Sequence, residues 1–481
     1  MFRHTQLFLA FAATGCAVAS TATLPTPHPA PVATPVTATV RPALGAGATS
    51  RPNADPFLST YAPFASRATV IRNVNIYTGA GPLIRNGSIL LEDGKIAAVG
   101  AAVTAPANAV IIDGEGKYVT PGLIDTHSHL GVYPAPSTAA HNDGNEATAP
   151  VTAHVWAEHS VWPQDPQFPR DLAGGTTTIQ VLPGSANLIG GRSVVLKVVP
   201  SRSVQGMKFP GAPYGLKMAC GENPKRVYAS RGPATRMANV AGYRAAWIGA
   251  ESYRRRWDAW LAKPEGDAPT RDLNNETLAD VLRGNILVHN HCYQADEIMQ
   301  MIDIAKEFGY QIRSFHHGVE TYKIADVLAR EGISASIWSD WGGFKMEALD
   351  GIKANVGLTH VAGARTIVHS DDASYSQRLN QEAAKSLAAA RLAGLSISDE
   401  DAVRWITINA AWALGIDRQT GSLEVGKNAD VVLWSANPLS VYARTEKVWI
   451  DGAMLFDRAD AAQRWRTDFE LGYVPNDGGR R

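Results

Sequence analysis

The chain is poor in cysteine, with three in 481 residues, at positions 16, 220 and 292. So few cannot make a disulfide framework, and stability has to come from a buried core, which 45% hydrophobic residues at this length can supply. The sequence leaves open whether Cys220 and Cys292 pair. A surplus of one charge is also lacking. Lys plus Arg and Asp plus Glu each total 45, and no long block of one sign stands out, which argues against a nucleic-acid or anionic-membrane surface. The densest basic cluster, Arg254 to Arg256 beside Trp257 and Trp260, reads as the solvated face of a helix. No apolar run is long enough for a comfortable membrane span.

What is present begins with an export pattern. "MFRHTQLFLAFAATGCAVAS" has a short basic start, an apolar segment from Leu7 to Val18 and small residues around Ala17 and Ala19. Residues 1–19 are read as a signal peptide, which places the mature protein in the periplasm or outside the cell. Cys16 in "ATGC" is a weak lipobox match, because residue 13 is Ala where Leu is usual. A lipid anchor at Cys16 is the less favoured alternative. Residues 20–66 are rich in Pro, Ala and Thr without a sustained apolar period, and are expected to form a disordered tether.

From residue 67 the pattern changes to short β-type runs, "TVIRNVNIYTG", "GSILLEDGKIAAVG" and "VIIDGEGKYVT", separated by turn residues. A matching set, "TGSLEVGKNADVVLW" and "EKVWIDGAMLFD", lies near the other end. Residues 67–121 and 418–456 are therefore expected to form one small β-sandwich, followed by a tail over 457–481. The insertion, 122–417, alternates strand-like runs with amphipathic helices. In "ADEIMQMIDIAKEFG" the apolar residues recur at helical spacing and Gly309 suits a C-cap, while Ser398 and Asp401 resemble a capping box. Repeated strand–helix units over this length predict a (β/α)8 TIM barrel; an open doubly wound sheet is the alternative.

In a barrel the active site lies at the C-terminal ends of the strands. Those predicted ends carry His127 and His129 after "GLID", Lys217 in "YGLKMAC", His289 after "ILV", His317 after "IRSFH" and Asp371 after "TIVHS". Imidazole, carboxylate and an anion-bearing lysine suit Zn2+ and related divalent ions. Each residue also has an ordinary structural explanation, such as a helix N-cap for Asp371. Their joint occurrence at separate strand ends favours a metal centre.

These motifs, in this order, resemble the amidohydrolase superfamily, in its imidazolonepropionase-like and prolidase-like branch, over about residues 67–456. "PGLIDTHSHLG" is similar to the strand 1 signature, "VHNH" and "HHG" to the strand 5 and 6 ligand positions, and "HSDD" to the strand 8 aspartate. "GSLEVGKNADVVLW" is similar to the return into the β-sandwich. The resemblance implies metal-activated water acting on a C–N bond, with one or two divalent ions. It favours His289 over His291 as ligand, leaving His291 a substrate-binding role, and His317 over His316. Adjacent strand residues face opposite ways, so His316 and His317 cannot both enter the barrel without distortion. The resemblance also implies a carboxylated Lys217 bridging two metals, with Glu222 as the alternative bridge.

Asp371 is expected to be the catalytic proton carrier. Lys345, in "GGFKMEA", is expected either to bind a substrate carboxylate or to sit in a simple ion pair. His141, Asp143, Glu146 and Trp156, after strand 1, are expected either to contact substrate or to lie in an ordinary surface loop, and "LPGSANLIGGRS" (182–193) is read as a tight barrel loop. The favoured function is an exported dipeptidase or N-acyl amino acid amidase. A cyclic-amidine or nucleobase deaminase and a catalytically silent barrel scaffold are the alternatives. The expected partner is a small amide or peptide-like molecule, and oligomeric state is left open.

Overall fold

The computed structural model describes residues 51–460. The residues read as an export signal (1–19), Cys16, the part of the expected tether up to residue 50 and the tail beyond 460 lie outside the described residues. The first five strands are β1 (Thr69–Ile76), β2 (Ile84–Glu92), β3 (Lys95–Gly100), β4 (Val110–Asp113) and β5 (Tyr118–Pro121). Eight more follow: β6 (Leu123–Ser128), β7 (Thr176–Val181), β8 (Ile189–Lys197), β9 (Gly215–Ala219), β10 (Leu287–Cys292), β11 (Ile312–His317), β12 (Ser334–Ile337) and β13 (Arg365–Val368). The last three are β14 (Val431–Trp434), β15 (Thr445–Ile450) and β16 (Ala453–Asp457).

The strands from the two ends of the chain share one sheet, in the order β16-β15-β14-β5-β1-β2-β3, with β4 beside β1. The join is the antiparallel β5–β14 pair, with Val119 opposite Leu433. Two hairpins in this sheet turn on Asp-Gly. Asp93 and Gly94 have φ of 50° and 76°, and Asp451 and Gly452 have 47° and 73°, the left-handed pairs that a two-residue turn requires. The interior is aliphatic, built from Ile71, Val74, Ile76, Ile89, Leu91, Val431 and Leu433.

The second sheet runs β13-β12-β11-β10-β9-β8-β7-β6 and curls into a nearly closed barrel. All neighbours are parallel except β8, which is antiparallel to both β7 and β9. Only residues 182–188 separate β7 from β8, too few for the crossover that a parallel pair needs. The stretch read as a loop over 182–193 is therefore a loop only up to 188, and its second half begins β8.

Among the described residues no ladder pairs β13 with β6. The seam is closed instead by Asp371 N–H donating to the carbonyl of His127 (3.0 Å) and by Ser370 N–H donating to Asp125 Oδ1 (3.2 Å).

Helices wrap the barrel. The helix Ala295–Phe308 ends on Gly309 in the left-handed conformation, and Ser398 with Asp401 forms the reciprocal capping box that opens Asp399–Trp405. Arg255 and Arg256 lie exposed on the helix Arg236–Ala262, whose Trp257 is buried.

Residues 54–61, assigned to the tether from composition, are held on the barrel and on the terminal sheet. Arg192 donates to Ala54 O (2.6 Å), Lys208 to Asp55 (2.8 Å), and Tyr61 OH to Asp451 (2.6 Å). Their partners are buried cations and an acid elsewhere in the chain, which local composition does not reveal. Cys220 and Cys292 form a disulfide that joins the end of β9 to the end of β10. Among the described residues no helix is long and apolar enough to cross a membrane.

Candidate metal centre

The parallel strands deliver their last residues to one end of the barrel. His127 leaves β6, Lys217 lies in β9, His289 and His291 in β10, His316 and His317 in β11, and Asp371 follows β13. In the ladders Lys217 stands opposite His289, and His291 opposite His316. The groups meet around His127. Its Nε2 is 3.3 Å from Asp371 Oδ1 and 3.3 Å from Lys217 Nζ. His129 Nε2 is also 3.3 Å from Asp371 Oδ1, and His317 Nδ1 is 4.0 Å from Oδ2 of the same carboxylate.

Local backbone geometry explains how two adjacent histidines enter. His317 has φ of 72°, a left-handed value that turns its ring back over the barrel mouth while His316 points into the interior. This is the distortion that alternation alone forbids. Asp371 has φ of 63°. Such conformations cost about 1–3 kcal/mol each and persist where the surroundings enforce them.

Hydrogen bonds fix the ring orientations. His129 Nδ1 must donate to the carbonyl of Leu182 (3.0 Å), which leaves Nε2 as a lone pair facing Asp371. His316 bridges two other rings, through Nδ1 to His127 Nδ1 and through Nε2 to His289 Nδ1, both at 2.9 Å. His291 is engaged on both sides, by Ser185 Oγ (2.8 Å) and Asn223 Nδ2 (3.3 Å). Beneath the seam, Asp125 accepts from His127 N–H (3.1 Å) and from the Ser370 hydroxyl. Burial raises its carboxyl to about 6.

Burial also sets the charge state. It pushes the imidazoles of His127, His291, His316 and His317 well below their ordinary range, and those of His289 and His369 to about 3. These rings are neutral at pH 7, the form that binds metals. Burial lowers the Lys217 ammonium to about 7, against a smaller opposing pull from Asp371.

The remaining expected residues lie around this ring. Glu222 opens the helix Glu222–Val227 and pairs with Lys345 (3.3 Å), and Lys345 lies 3.6 Å from Glu347 and 4.0 Å above the Tyr293 ring. Lys345 is thus the member of an ion-pair cluster that links the loop after β12 to the loop after β9. Asp143, Glu146 and Trp156 line a separate cavity of about 340 Å3. His141 packs against Trp162, and Trp156 carries Arg192 on its face at 4.0 Å.

Three participants go unnamed in the sequence reading: His369, Asp125 and Trp338. His369 forms a close group with His127 and His317, and Trp338 stacks on His317 at 4.0 Å. His369 is the residue two before Asp371, the same i, i+2 spacing as His127 and His129, so its signal is in the sequence. Asp125 and Trp338 carry no comparable signal.

The donor set fits a divalent cation. His127, His129 and Asp371 offer ligand atoms within 4.8 Å of one another, as do His127, His317 and His369. Buried imidazole nitrogens without a hydrogen-bond partner among the described residues are His289 Nε2, His317 Nδ1 and both nitrogens of His369. An unsatisfied buried polar atom costs about 1–3 kcal/mol. A cation held among His127, His317 and His369 could accept lone pairs from His317 and His369 that the described residues leave unmet.

Comparison with known proteins agrees with this geometry. The sequence pattern of the amidohydrolase family matches residues 118–455. The solved structure of an amidohydrolase from Thermotoga maritima MSB8 is similar, with a TM-score of 0.75 and 33% identity, covering 81% of this chain and 100% of that one. Amidohydrolase tasK of Hapsidospora irregularis is 32% identical over 438 residues, 82% of this chain and 44% of that protein, so the chain spans less than half of that relative's length. Imidazolonepropionase of Shewanella frigidimarina (strain NCIMB 400) is 24% identical over 392 residues, 76% of this chain and 90% of that protein.

Proposed function

The chain belongs to the amidohydrolase family, a hydrolase acting on C–N bonds, and from that premise we propose that it cleaves an amide or peptide-like substrate at a zinc centre. The observation that carries the reading is the gathering of His127 and His129 with Asp371, and of His127 with the buried His317 and His369, each set with ligand atoms within 4.8 Å of one another. His127, His129, Lys217, His289, His317 and Asp371 would hold one or two divalent ions. Such an ion supplies water acidified enough to attack near neutral pH, and polarises the carbonyl.

The chain's own groups do the rest. The imidazoles of His127 and His317 are buried, whereas the side chains of Asp371 and His129 keep 20% and 15% of their exposure, and of these two only Asp371 is a carboxylate. Asp371 is therefore the group placed to hold the proton of the attacking water at a carboxylate oxygen and to release it to the leaving nitrogen. His129, held by Leu182 O, and His127, held by His316, keep their Nε2 atoms aimed at that carboxylate. Lys217, uncharged to a large extent at neutral pH, can take up CO2 to give an anionic carbamate with release of a proton. Glu222 is committed to Lys345, which supports Lys217 over Glu222 as the bridge.

A screen of N-acyl amino acids and dipeptides with zinc-loaded protein, with Asp371→Asn as control, tests the reading. Amine release from an acylated amino acid, lost on chelation and restored by zinc, is expected. Ammonia release from a heterocycle without amide cleavage would turn the reading to a deaminase. Active protein without tightly bound divalent metal would end it.

We also propose that the enzyme is exported. The pattern of residues 1–19 supports this, and so does the disulfide, since such bonds persist in oxidising compartments. A mature protein beginning after Ala19 in the extracytoplasmic fraction is expected; uncleaved cytoplasmic protein would overturn the proposal.

A further inference from the structure

Residues 54–61 lie on the barrel as a strap without helix or strand, and two buried cations depend on it. Arg192, 1% exposed in β8, donates from Nη1 to the carbonyl of Ala54 (2.6 Å). Lys208, 3% exposed, donates to Asp55 Oδ1 (2.8 Å) and to the carbonyl of Phe57 (2.6 Å). In return the Ser59 hydroxyl donates to Lys208 O (2.6 Å), and Thr60 N–H donates to Gln205 O (2.9 Å). A buried cation that loses its acceptors is strongly unfavourable, so the barrel itself holds the strap down.

The strap also grips a loop. Phe57 meets the rings of Trp156 (5.3 Å) and His159 (4.7 Å) edge-on, and Lys208 Nζ stands 3.4 Å from Glu158 Oε2. That loop in turn holds the turn that follows His129. Trp162 N–H donates to Gly131 O (3.0 Å), and Asp165 Oδ2 accepts from Gly131 N–H (2.9 Å). Gly131 has φ of 77°, and a Cβ there would lie 2.8 Å from Val161 Cγ1, so loop and turn are closely fitted. Val132 N–H and Tyr133 N–H close the turn by donating to His129 O (3.2 and 3.0 Å). A continuous series of contacts therefore runs from the strap to His129.

We propose that the strap is a positioning device for the metal centre: Asp55 and Phe57, acting through the loop 156–165 and Gly131, keep His129 Nε2 facing Asp371. The inference rests on the reading of His129 as a metal ligand and adds to it a segment from before β1. Asp55 and Phe57 are positioning residues, with the Asp55 side chain 33% and Phe57 38% exposed, so truncating them opens no core. Leu58, 58% exposed in the same segment, is the control.

Hydrogen exchange and zinc affinity read this device without any substrate. In the full chain carrying Asp55→Ala and Phe57→Ala, amide exchange over residues 129–135 and 156–165 is expected to rise about tenfold or more, with β10 and β11 unchanged. Zinc affinity against a competing chelator should fall about tenfold, the scale on which lost support behind a metal ligand is felt. Phe57→Tyr, which keeps the ring, should leave both near wild type, and Leu58→Ala should change neither. If the double variant does not fold, Phe57→Ala alone should show the same pattern with smaller factors. Unchanged exchange over 129–135 would overturn the proposal. So would an equal rise throughout the barrel, which would make the strap a general staple. Faster exchange over 129–135 with zinc affinity unaltered would keep the strap as the support of His129 while removing His129 from the ligand set, so the two readings fail separately.

Discussion

The terminal sheet and the barrel sheet each have eight strands, and they bury different things. On the strands of the first, the interior is Ile71, Val74, Ile89, Leu91, Val431 and Leu433, and no histidine occurs in any of them. The second buries His127, His289, His291, His316 and His317 within its strands, His369 just beyond β13, and Lys217 besides. Aliphatic side chains gain free energy on leaving water, whereas neutralised imidazoles and an amine held near pKa 7 give it up unless something satisfies them. One sheet therefore contributes stability, and the other carries a metal-ready polar cluster that the surrounding core has to support.

The comparison is broken most severely at Asp371. Asp371→Asn should lower kcat by about 10^3-fold while metal content falls much less, if its proposed proton-carrying role outweighs its place among the ligands. An equal loss of metal would show a mainly structural ligand. Next in size, replacing Cys220 and Cys292 together by Ser should cost about 4 kcal/mol, since the bond closes a separation of 72 residues. Denaturant titration reads this loss. Leu433→Ala, in the terminal sheet, should cost about 3 kcal/mol yet leave kcat/KM per folded molecule unchanged. A fall in activity there would mean that the two sheets are not separable in this way.

The smallest effect concerns Asp171, in the helix Gln167–Ala173. Burial holds its carboxyl well above the usual carboxylate range, Ser376 donates to Oδ1 at 2.6 Å, and Oδ2 has no hydrogen-bond partner among the described residues. The native pKa exceeds the unfolded one, so the native state holds the extra proton. Its contribution to stability is present below the unfolded value and is lost as pH rises through the folded one. Asp171→Asn should therefore be more stabilising at pH 8 than at pH 4, as read from thermal melts at the two pH values.

Much of this arrangement is legible before any coordinates. The Asp-Gly hairpins, the Gly309 and Ser398 caps and the histidines at strand ends are local signals, each written within a few residues. What is not legible depends on distant partners. The reversed direction of β8 follows from a short connector whose length is known only once both strands are bounded. The docking of residues 54–61 depends on Arg192 and Lys208, over 130 positions away in the case of Arg192. The bridging place of His316 needs three strands in register, and the inward turn of His317 needs a backbone angle that no residue type there announces.

The first and last barrel strands are fastened by His127 accepting from Asp371 and by Asp125 holding Ser370, a clasp made of the same stretch that carries the proposed chemistry. Opening this seam would therefore also separate Asp371 from His127, two of the residues proposed to hold the metal. Turnover regained on refolding would then report that the circle has shut.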